Sequence, residues 1–333
     1  MKVLVTGGAG FIGCNFIYHI MKVHPEWDVT NLDKLTYAGN LNNLKDIEGD
    51  RRYHFIRGDI VDTILLEKIL SSGFDAVVNF AAESHVDRSI LDASAFIETN
   101  IRGTQVLLEN IGKFNVKKFI QISTDEVYGS IDAGSFDEQS SLSPNSPYSA
   151  SKAAADLLCH AYWKTYGIPV VITRCTNNFG YYQFPEKLLP LVITNAIENK
   201  TVPVYGDGLN VRDWIFVEDH CRAIDAVLQY GKPGQIYNVA GSNEKTNIEI
   251  IKSVIKLLGK SENIIEYVSD RPGHDRRYSL DDRKIVKELE WQPAYAFDEA
   301  LKSTVDWYIR NEKWWRDVKK GDYLKYYERV YSK

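Results

Sequence analysis

The chain has 333 residues, of which 44% are hydrophobic and 26% are charged, as in an ordinary folded globular protein. Its formal net charge of -5 provides no general attraction for nucleic acid or for an anionic membrane surface. No apolar run reaches the ~18 residues of a membrane-spanning helix, and the first residues do not resemble a signal peptide. We therefore expect a cytoplasmic protein without nucleic-acid or membrane partners.

Short apolar runs alternate with longer amphipathic runs through the first half of the chain. This alternation predicts an α/β fold with a Rossmann-type, doubly wound parallel sheet. Ligands bind such sheets at the carboxyl ends of the strands, so residues that directly follow strands are candidates for a site. The predicted strands are Val3–Thr6, Val29–Leu32, Tyr53–Arg57, Ala76–Phe80, Lys118–Ser123 and Val170–Arg174, and the predicted helices are Phe11–Val23, Ile64–Leu70, Ala95–Phe114 and Tyr148–Tyr166.

The second half of the chain has a less regular pattern. Its helix and strand signals are separated by longer polar stretches, and the charged stretch Asp270–Tyr278 contains Pro272 and Gly273, which predicts a loop. Thr246 is a plausible N-terminal cap for the helix that follows it. The predicted elements are the helix Leu188–Asn199, the strand Val202–Tyr205, the helix Thr246–Leu258 and the helix Leu301–Tyr308.

The four cysteines, Cys14, Cys159, Cys175 and Cys221, are far apart in the sequence. No pair has the short spacing of a metal site or of a redox motif. Four cysteines would also form a sparse disulfide framework for a chain of this length, so reduced thiols are the simpler interpretation. We therefore predict no metal site.

A glycine-rich turn, VTGGAGFIG, joins the first predicted strand to the first predicted helix. Gly7, Gly10 and Gly13 permit a tight turn and a close backbone approach to a pyrophosphate, which the helix N-terminus then faces. Taken alone, this pattern also fits a tight turn that binds no ligand. Asp33, at the end of the second strand, strengthens the ligand interpretation, because a carboxylate there binds the adenosine ribose and repels a 2′-phosphate. Asp59, after the third strand, is a candidate for the adenine amino group, so the cofactor that the sequence predicts is NAD.

These features predict two domains. Residues 1–174 form the NAD-binding Rossmann domain, and residues 175–333 form mainly a smaller α/β substrate-binding domain. Segments near residues 211–240 are expected to return to the first domain.

Tyr148 and Lys152 stand four residues apart in YSASK, on one face of a predicted helix. A lysine ammonium near a phenol lowers the pKa of the phenol, so that the tyrosine can serve as a general base. A surface aromatic beside a solvated lysine is the plainer interpretation of the pair alone, but its position after a nucleotide-binding fold favours catalysis. The glycine turn and the Tyr-x-x-x-Lys pair resemble those of the extended short-chain dehydrogenase/reductase family. That resemblance implies that Lys152 also binds the nicotinamide ribose and that Thr124 contacts the reacting sugar oxygen.

The segment STDEVYG, residues 123–129, sets Asp125 and Glu126 beside Thr124. Two adjacent carboxyl groups suit a water elimination, in which one group takes a proton from carbon and the other protonates the departing hydroxyl. A pair of solvated loop acids is the alternative. The segment is similar to a motif of the dTDP-glucose 4,6-dehydratases, as are AAESHVDRS (81–89), QFPEKLLP (183–190) and RPGHDRRY (271–278).

This resemblance implies an NAD-dependent hydro-lyase with three steps in one site. Tyr148 takes the proton of the sugar 4-hydroxyl while carbon 4 is oxidised. Glu126 then removes the proton on carbon 5 and Asp125 protonates the leaving 6-hydroxyl. Hydride returns to carbon 6, and dTDP-glucose becomes dTDP-4-keto-6-deoxyglucose. The implied catalytic residues are Thr124, Asp125, Glu126, Tyr148 and Lys152.

The resemblance also implies which residues bind each ligand. Arg212 and Arg271 are natural candidates for the substrate diphosphate, because a guanidinium grips phosphate oxygens in a bidentate manner. The implied cofactor-binding residues are Gly7, Gly10, Phe11, Ile12, Gly13, Asp33, Lys34, Leu35, Thr36, Asp59, Ile60, Phe80, Ala81, Ala82, Thr99, Tyr148, Lys152 and Asn178. The implied substrate-binding residues are Ser84, His85, Thr124, Asn177, Lys187, Leu188, Pro203, Tyr205, Arg212, Asn247, Arg271, His274 and Tyr278.

Other activities use the same scaffold. A nucleotide-sugar 4-epimerase usually lacks the paired acids, so Asp125 beside Glu126 argues against it. A UDP-sugar 4,6-dehydratase stays open, because thymine and uracil differ by one methyl group, worth only about 1–3 kcal/mol in a contact. A non-catalytic protein of this fold would commonly lose the tyrosine or the lysine. Relatives pair through two long helices, here Ala95–Phe114 and Tyr148–Tyr166, so the resemblance implies a homodimer.

Overall fold

The computed structural model describes residues 1–320 of the chain. Its centre is a sheet of seven strands, and every neighbouring pair in this sheet is parallel. The strands, in spatial order, are β10 (Ile236–Val239), β6 (Val170–Cys175), β5 (Lys118–Thr124), β4 (Ala76–Asn79), β1 (Lys2–Thr6), β2 (Asp28–Asp33) and β3 (Tyr53–Arg57). The predicted Rossmann-type α/β fold is therefore confirmed.

The order of the strands reverses at β1, which pairs with β2 on one side and with β4 on the other. A crevice forms at the carboxyl ends of the strands where the order reverses, and this is where such sheets bind ligands. The glycine turn follows β1 directly, so the fold positions that turn at the crevice.

The helices cover both faces of the sheet, as expected for strands that are apolar on both sides. In β1, Val3 and Val5 pack in the layer of the helices Phe11–Val23 and Val217–Tyr230. Leu4 packs in the opposite layer with the helices Thr63–Leu70, Gly103–Lys113 and Pro147–Tyr166. The helices are α1 (Phe11–Val23), α2 (Thr63–Leu70), α3 (Val86–Leu91), α4 (Ser94–Phe96), α5 (Gly103–Lys113), α6 (Pro147–Tyr166), α7 (Leu188–Ile197), α8 (Val217–Tyr230), α9 (Asn247–Leu257), α10 (Arg283–Leu289), α11 (Phe297–Arg310) and α12 (Glu312–Val318).

The predicted helix Ala95–Phe114 is present but is not uniform. A π-helical segment, Ile97–Arg102, joins α4 to α5. Asn100 turns inward from this segment, where its side chain bonds the backbone of Glu83 and the Ser151 hydroxyl. These polar contacts add to the packing of the π-helical segment on α6, and π segments of this kind are frequent at functional sites.

Caps explain where two of the predicted helices begin. Ser146 caps α6, since its hydroxyl accepts a hydrogen bond from the Ser149 N–H, and Pro147 occupies the first helical position. Thr246 caps α9 as predicted, and the Glu249 carboxylate in turn accepts a hydrogen bond from the Thr246 N–H at 2.7 Å.

The second half of the chain adds two small sheets. One contains β11 (Glu244–Thr246), β9 (Val211–Phe216) and β7 (Asn177–Phe179), and the other pairs β12 (Ile265–Val268) with β8 (Val202–Tyr205). Helices α7, α9 and α11 pack on one another beside them. Of the segment near residues 211–240, β10 joins the large sheet and α8 packs on α1, whereas β9 lies in a small sheet. The predicted domain division stays a prediction, and residues 321–333 lie outside the described residues.

Two further features concern residues 1–320 only. No helix there combines the length and the apolar character needed to cross a bilayer. No group of three His, Cys, Asp or Glu side chains there has an arrangement that could hold a metal ion. The four cysteines are buried and are not paired with one another.

Candidate active site

A large cleft opens at the carboxyl ends of β1, β2, β4, β5 and β6. It contains about 1600 Å³ of space that no protein atom fills, its open mouth included. Most of the residues predicted for the cofactor and for catalysis line it, together with several predicted for the substrate. These lining residues are Gly7, Gly10, Phe11, Ile12, Gly13, Asp33, Lys34, Thr36, Asp59, Ile60, Phe80, Ala81, Ala82, Ser84, Thr99, Thr124, Asp125, Glu126, Tyr148, Lys152, Asn177, Asn178 and Lys187.

The glycine turn brings the start of α1 against the cleft. Gly7 has a φ of +70°, and a Cβ there would lie 2.6 Å from the Ala81 nitrogen, so only glycine fits. No side chain caps α1 at Gly10, and no acidic residue lies in its first turn. The positive end of this helix is therefore available for an anion in the cleft.

Asp33 is buried at the end of β2, and two backbone N–H groups hold its carboxylate. Oδ2 accepts from the Ala9 N–H at 2.9 Å, and Oδ1 accepts from the Leu35 N–H at 2.7 Å. Burial raises the pKa of Asp33, although both hydrogen bonds oppose the rise. A carboxylate has about four lone-pair positions, so this group can still accept hydrogen bonds from a ligand.

Leu35, predicted to bind the cofactor, does not line the cleft and acts through its N–H on Asp33. Asp59 does line the cleft, where its Oδ2 forms an ion pair with Lys34 Nζ at 2.5 Å. A ligand group that binds Asp59 therefore meets a carboxylate that already has a cationic partner.

Tyr148 and Lys152 share the inner face of α6 and both are buried. Lys152 Nζ donates to the Ile122 carbonyl at 2.5 Å. The expectation that Lys152 lowers the pKa of Tyr148 is wrong for the protein alone. Burial and the neighbouring Glu126 charge raise the pKa of this phenol well above its ordinary value, which favours the neutral form.

Asp125 and Glu126 open a short 3₁₀ turn, Asp125–Tyr128, directly after β5. Thr124 Oγ1 donates to Asp125 Oδ1 at 3.1 Å, and Asp125 Oδ2 is buried without a hydrogen-bond partner. Burial, reinforced by Glu126, raises the pKa of Asp125 well above its ordinary value. Burial also raises the pKa of Glu126, but Arg271, Lys187 and Arg212 oppose that rise. The two acids therefore differ in their surroundings, and the cations favour ionisation of Glu126.

A second group of predicted substrate residues lies on the side of these cations. Arg271 Nη1 donates to Asp87 Oδ1 at 3.0 Å, and the Tyr205 hydroxyl donates to the other oxygen of Asp87 at 3.1 Å. The ring of His274 packs edge-on against Tyr205. None of these four residues lines the cleft itself, but the charge of Arg271 reaches Glu126.

Arg212 and Tyr278 form a neighbouring contact outside the lining. The Arg212 guanidinium lies 4.2 Å from the centre of the Tyr278 ring and donates to the Asp275 carbonyl at 2.8 Å. The Tyr278 hydroxyl donates to Asp275 Oδ2 at 2.6 Å. Most donors of Arg212 thus point at backbone oxygens.

The other predicted substrate residues are scattered. Lys187 donates to the Ser84 carbonyl at 2.7 Å inside the cleft. Leu188 begins α7, Pro203 lies in β8, Asn247 begins α9, and the His85 ring approaches the Glu186 carbonyl at 3.4 Å. These four residues do not line the cleft.

Comparison with known proteins decides the family. A family model described as GDP-mannose 4,6 dehydratase matches residues 4–304. A dTDP-glucose 4,6-dehydratase of Streptomyces niveus is 50% identical over 326 residues, which cover 97% of each chain. The solved dTDP-glucose 4,6-dehydratase of Streptomyces venezuelae, with NAD bound, is 51% identical with a TM-score of 0.94, covering 96% of this chain and 100% of that one.

The chain belongs to the dTDP-glucose 4,6-dehydratase family. The predicted resemblance is therefore confirmed. A UDP-glucuronic acid 4-epimerase of Bacillus cereus has the same fold, with a TM-score of 0.88, at 31% identity over 93% of this chain and 99% of that one. Because dehydratases and epimerases share the fold, the fold alone does not decide the chemistry of a dTDP-glucose 4,6-dehydratase family member.

Several lining residues of this family member were missed by the sequence prediction. Some lie at the carboxyl ends of strands, as do Cys175, the last residue of β6, and Thr176 directly after it, and this position was the signal that could have found them. Others lie inside the segments that resemble the dehydratases, as Glu83 does in AAESHVDRS and Glu186 does in QFPEKLLP. The missed lining residues are Leu32, Ala38, Gly39, Gly58, Glu83, Ile122, Ser123, Cys175, Thr176, Gln183, Phe184 and Glu186.

Glu186 and Tyr37 illustrate a contact that the sequence does not signal. Arg88 Nε donates to Glu186 Oε2 at 3.0 Å, and its guanidinium lies 4.0 Å from the centre of the Tyr37 ring. Tyr37 comes from the segment after β2, whereas Arg88 lies in α3, so only the fold brings them together.

Proposed function

We propose that the chain is an NAD-dependent dTDP-glucose 4,6-dehydratase that forms dTDP-4-keto-6-deoxyglucose. The observation that carries the proposal is the presence, in one cleft, of a buried Tyr148–Lys152 pair and of two adjacent carboxyls with different surroundings. Oxidation of a sugar hydroxyl needs the first pair, and elimination of water needs the second.

The proposed cofactor fits the residues of the cleft. Phe11 and Ile12, at the uncapped start of α1, offer backbone N–H groups to the pyrophosphate, and Asp33 offers unused lone pairs to a ribose. The charge of Asp33 disfavours a 2′-phosphate, which supports NAD over NADP. When bound, NAD would supply an acceptor for the hydride of sugar carbon 4 and, once reduced, a hydride donor for carbon 6.

In the first step, Tyr148 takes the proton of the sugar 4-hydroxyl as a phenolate. Because its pKa is raised in the protein alone, this form depends on a neighbouring cation, either the Lys152 ammonium or the positively charged nicotinamide that NAD would bring. The Thr124 hydroxyl lies beside the Tyr148 hydroxyl, and we propose that it hydrogen-bonds the same sugar oxygen. Lys152 is held in place by its hydrogen bond to the Ile122 carbonyl. The new 4-ketone acidifies the proton on carbon 5.

In the second step, Glu126 removes the proton on carbon 5 as a carboxylate, while Asp125 protonates the departing hydroxyl of carbon 6. The assignment follows from the surroundings: Arg271, Lys187 and Arg212 favour the ionised form of Glu126, whereas Asp125 is buried beside the Glu126 charge and favours its proton. In the third step, Glu126 returns a proton to carbon 5.

The nucleotide part of the substrate needs cations for its diphosphate. Arg271 and Arg212 are the proposed partners, and Tyr205, His274, Asn247, Tyr278, Pro203 and Leu188 are proposed around them. The substrate diphosphate would either displace Asp87 from Arg271 or share the Arg271 guanidinium with the Asp87 carboxylate. Ser84, His85, Asn177 and Lys187 are proposed on the sugar side, where Lys187 is already held by the Ser84 carbonyl.

We also propose a homodimer, formed through α6 and the helical segment that contains Ile97. Ala150, Leu157 and Ala161 form an apolar, exposed line along α6, and Leu157 is 60% exposed. Ile97, 56% exposed, adds to this surface. Light scattering should give a dimer for the wild type and a monomer for Leu157→Glu, whereas a monomeric wild type would contradict the proposal. We further propose a cytoplasmic location. The boundary between the NAD-binding domain and the substrate-binding domain is proposed near residue 174.

Mass spectrometry tests the proposed activity. The purified protein is incubated with dTDP-glucose and, in parallel, with UDP-glucose, with and without added NAD. We expect dTDP-glucose to lose one water without net formation of NADH. Water loss from UDP-glucose alone would move the proposal to a UDP-sugar dehydratase, and an unchanged mass for both would contradict a dehydratase.

A further inference from the structure

A buried arginine lies behind the cleft and bonds two different elements of the site. Arg174, near the end of β6, is 3% exposed. Its Nε donates to Asp156 Oδ2 at 2.9 Å, and its Nη1 donates to the Tyr128 hydroxyl at 2.7 Å. The Tyr128 hydroxyl in turn donates to Asn238 Oδ1 at 2.9 Å, in β10.

The two partners of Arg174 belong to the two halves of the proposed chemistry. Asp156 follows Tyr148 and Lys152 at intervals of four residues on α6, so the three side chains lie on one face of that helix. Tyr128 ends the 3₁₀ turn that begins with Asp125 and Glu126. Arg174 therefore joins the helix of the oxidation residues to the turn of the elimination residues.

The geometry of this contact is well defined. The guanidinium donates from two nitrogens of its rigid fork and also lies 4.7 Å from the centre of the Tyr128 ring. Asp156 Oδ1 is buried without a hydrogen-bond partner, so the carboxylate depends on Arg174. A buried ion pair of this kind is a weak source of stability, because desolvation offsets the attraction. The two hydrogen bonds of Arg174 do connect α6 to the Asp125–Tyr128 turn through one rigid side chain.

We propose that Arg174 is a positioning residue, which holds the α6 face of Tyr148 and Lys152 in register with the turn of Asp125 and Glu126. The inference rests on the proposed dehydratase function. The same sugar must meet the oxidation residues first and the elimination residues next without leaving the site. A displacement of about 1 Å between the oxidation residues and the elimination residues can lower the rate by up to about a hundredfold.

Substitution of Arg174 tests this role. In Arg174→Met both donors are lost, and in Arg174→Lys the charge remains but the fork does not. We expect kcat to fall about tenfold or more in each, with KM for dTDP-glucose within about twofold, because no atom of Arg174 is assigned to substrate. Rapid quenching should also show more 4-keto-glucose nucleotide that has not lost water. Tyr128→Phe removes one arm and should give the same changes to a smaller extent.

A remote variant separates positioning from stability. Asp225→Asn disrupts a contact in which His19 and His24 both bond the Asp225 carboxylate, at the end of α1 that lies away from the cleft. We expect it to lower Tm and to leave kcat and the intermediate unchanged. Arg174 variants with wild-type kcat would overturn the inference. It would also be overturned if Asp225→Asn lost as much kcat for a given fall in Tm as the Arg174 variants do, because stability alone would then explain the loss. If Arg174→Met does not fold, Arg174→Lys and Tyr128→Phe decide. A wild type inactive on dTDP-glucose would instead overturn the proposed function, and this inference with it.

Discussion

Thr124 donates a hydrogen bond of 3.1 Å to one oxygen of the Asp125 carboxyl, and the other oxygen is buried without a partner. Burial, followed by the charge of Glu126, raises the pKa of Asp125 well above its ordinary value. The folded protein thus favours a neutral Asp125, which is the form that can protonate a leaving hydroxyl.

This relationship predicts a conflict between stability and activity at Asp125. A raised pKa in the folded state means that stability is greatest below the unfolded pKa, about 4, and is lost as pH rises towards the folded pKa. Asp125→Asn cannot ionise, so at pH about 7 it should have a higher Tm than the wild type. The difference should shrink as pH falls towards about 4. Calorimetry over this range measures it, and a variant less stable than the wild type at neutral pH would contradict the account.

The elimination step can be isolated by removing both acids. Asp125→Asn combined with Glu126→Gln should still oxidise carbon 4 but should not lose water, because neither proton transfer has a group to perform it. Mass spectrometry of the quenched reaction should therefore show a nucleotide sugar two hydrogens lighter and no dehydrated product. Dehydration at the wild-type rate would refute the roles given to these acids.

The oxidation step should depend on the hydroxyl of Tyr148. Tyr148→Phe removes the proposed base and should lower kcat by at least about a hundredfold, with no reduced nicotinamide visible in stopped-flow absorbance. Tyr230→Phe, a substitution of the same kind at the exposed end of α8, is the matched control and should behave as the wild type. A transient signal of normal amplitude in Tyr148→Phe would assign the base elsewhere.

Asp33 should control both the affinity and the choice of the cofactor. Asp33→Asn removes the charge and leaves only one acceptor oxygen for the Ala9 and Leu35 N–H groups. We expect the affinity for NAD to fall about ten- to a hundredfold, with a smaller loss or a gain for NADP. Calorimetric titration of cofactor-free protein measures both. The exposed Asp28, at the other end of β2, provides the control Asp28→Asn, which should bind NAD normally. An equal loss for NAD and NADP would argue against selection by charge.

Local patterns were sufficient to predict much of the fold. The continuous apolar runs of β1 and β4 and the capping residue of α9 are readable from neighbouring residues, because both depend on the chain within a few positions. The π-helical turn around Asn100 was not predicted, since its cause is a set of contacts to Glu83 and Ser151 elsewhere in the chain. The short strands β7 and β11 were missed for a similar reason, as each has only three residues and depends on β9.

The candidate site divides in the same way. The glycine turn, Asp33 and the pair Asp125–Glu126 stand in contiguous motifs after strands, so the sequence alone indicated them. Arg174, Asp156 and Tyr128 come from three separate segments, and no spacing announces their contact. The raised pKa of Tyr148 was also missed, because it depends on burial and on Glu126 rather than on the nearby Lys152.

In the proposed mechanism, one cleft oxidises, dehydrates and reduces the same sugar without releasing it. The most direct test uses dTDP-glucose with deuterium on carbon 4, followed by mass spectrometry and NMR of the product. We expect a product that has lost one water, carries the deuterium on carbon 6, and forms without net NADH. Deuterium retained on carbon 4, or lost to solvent, would contradict this mechanism, as would NADH in amounts equal to the product.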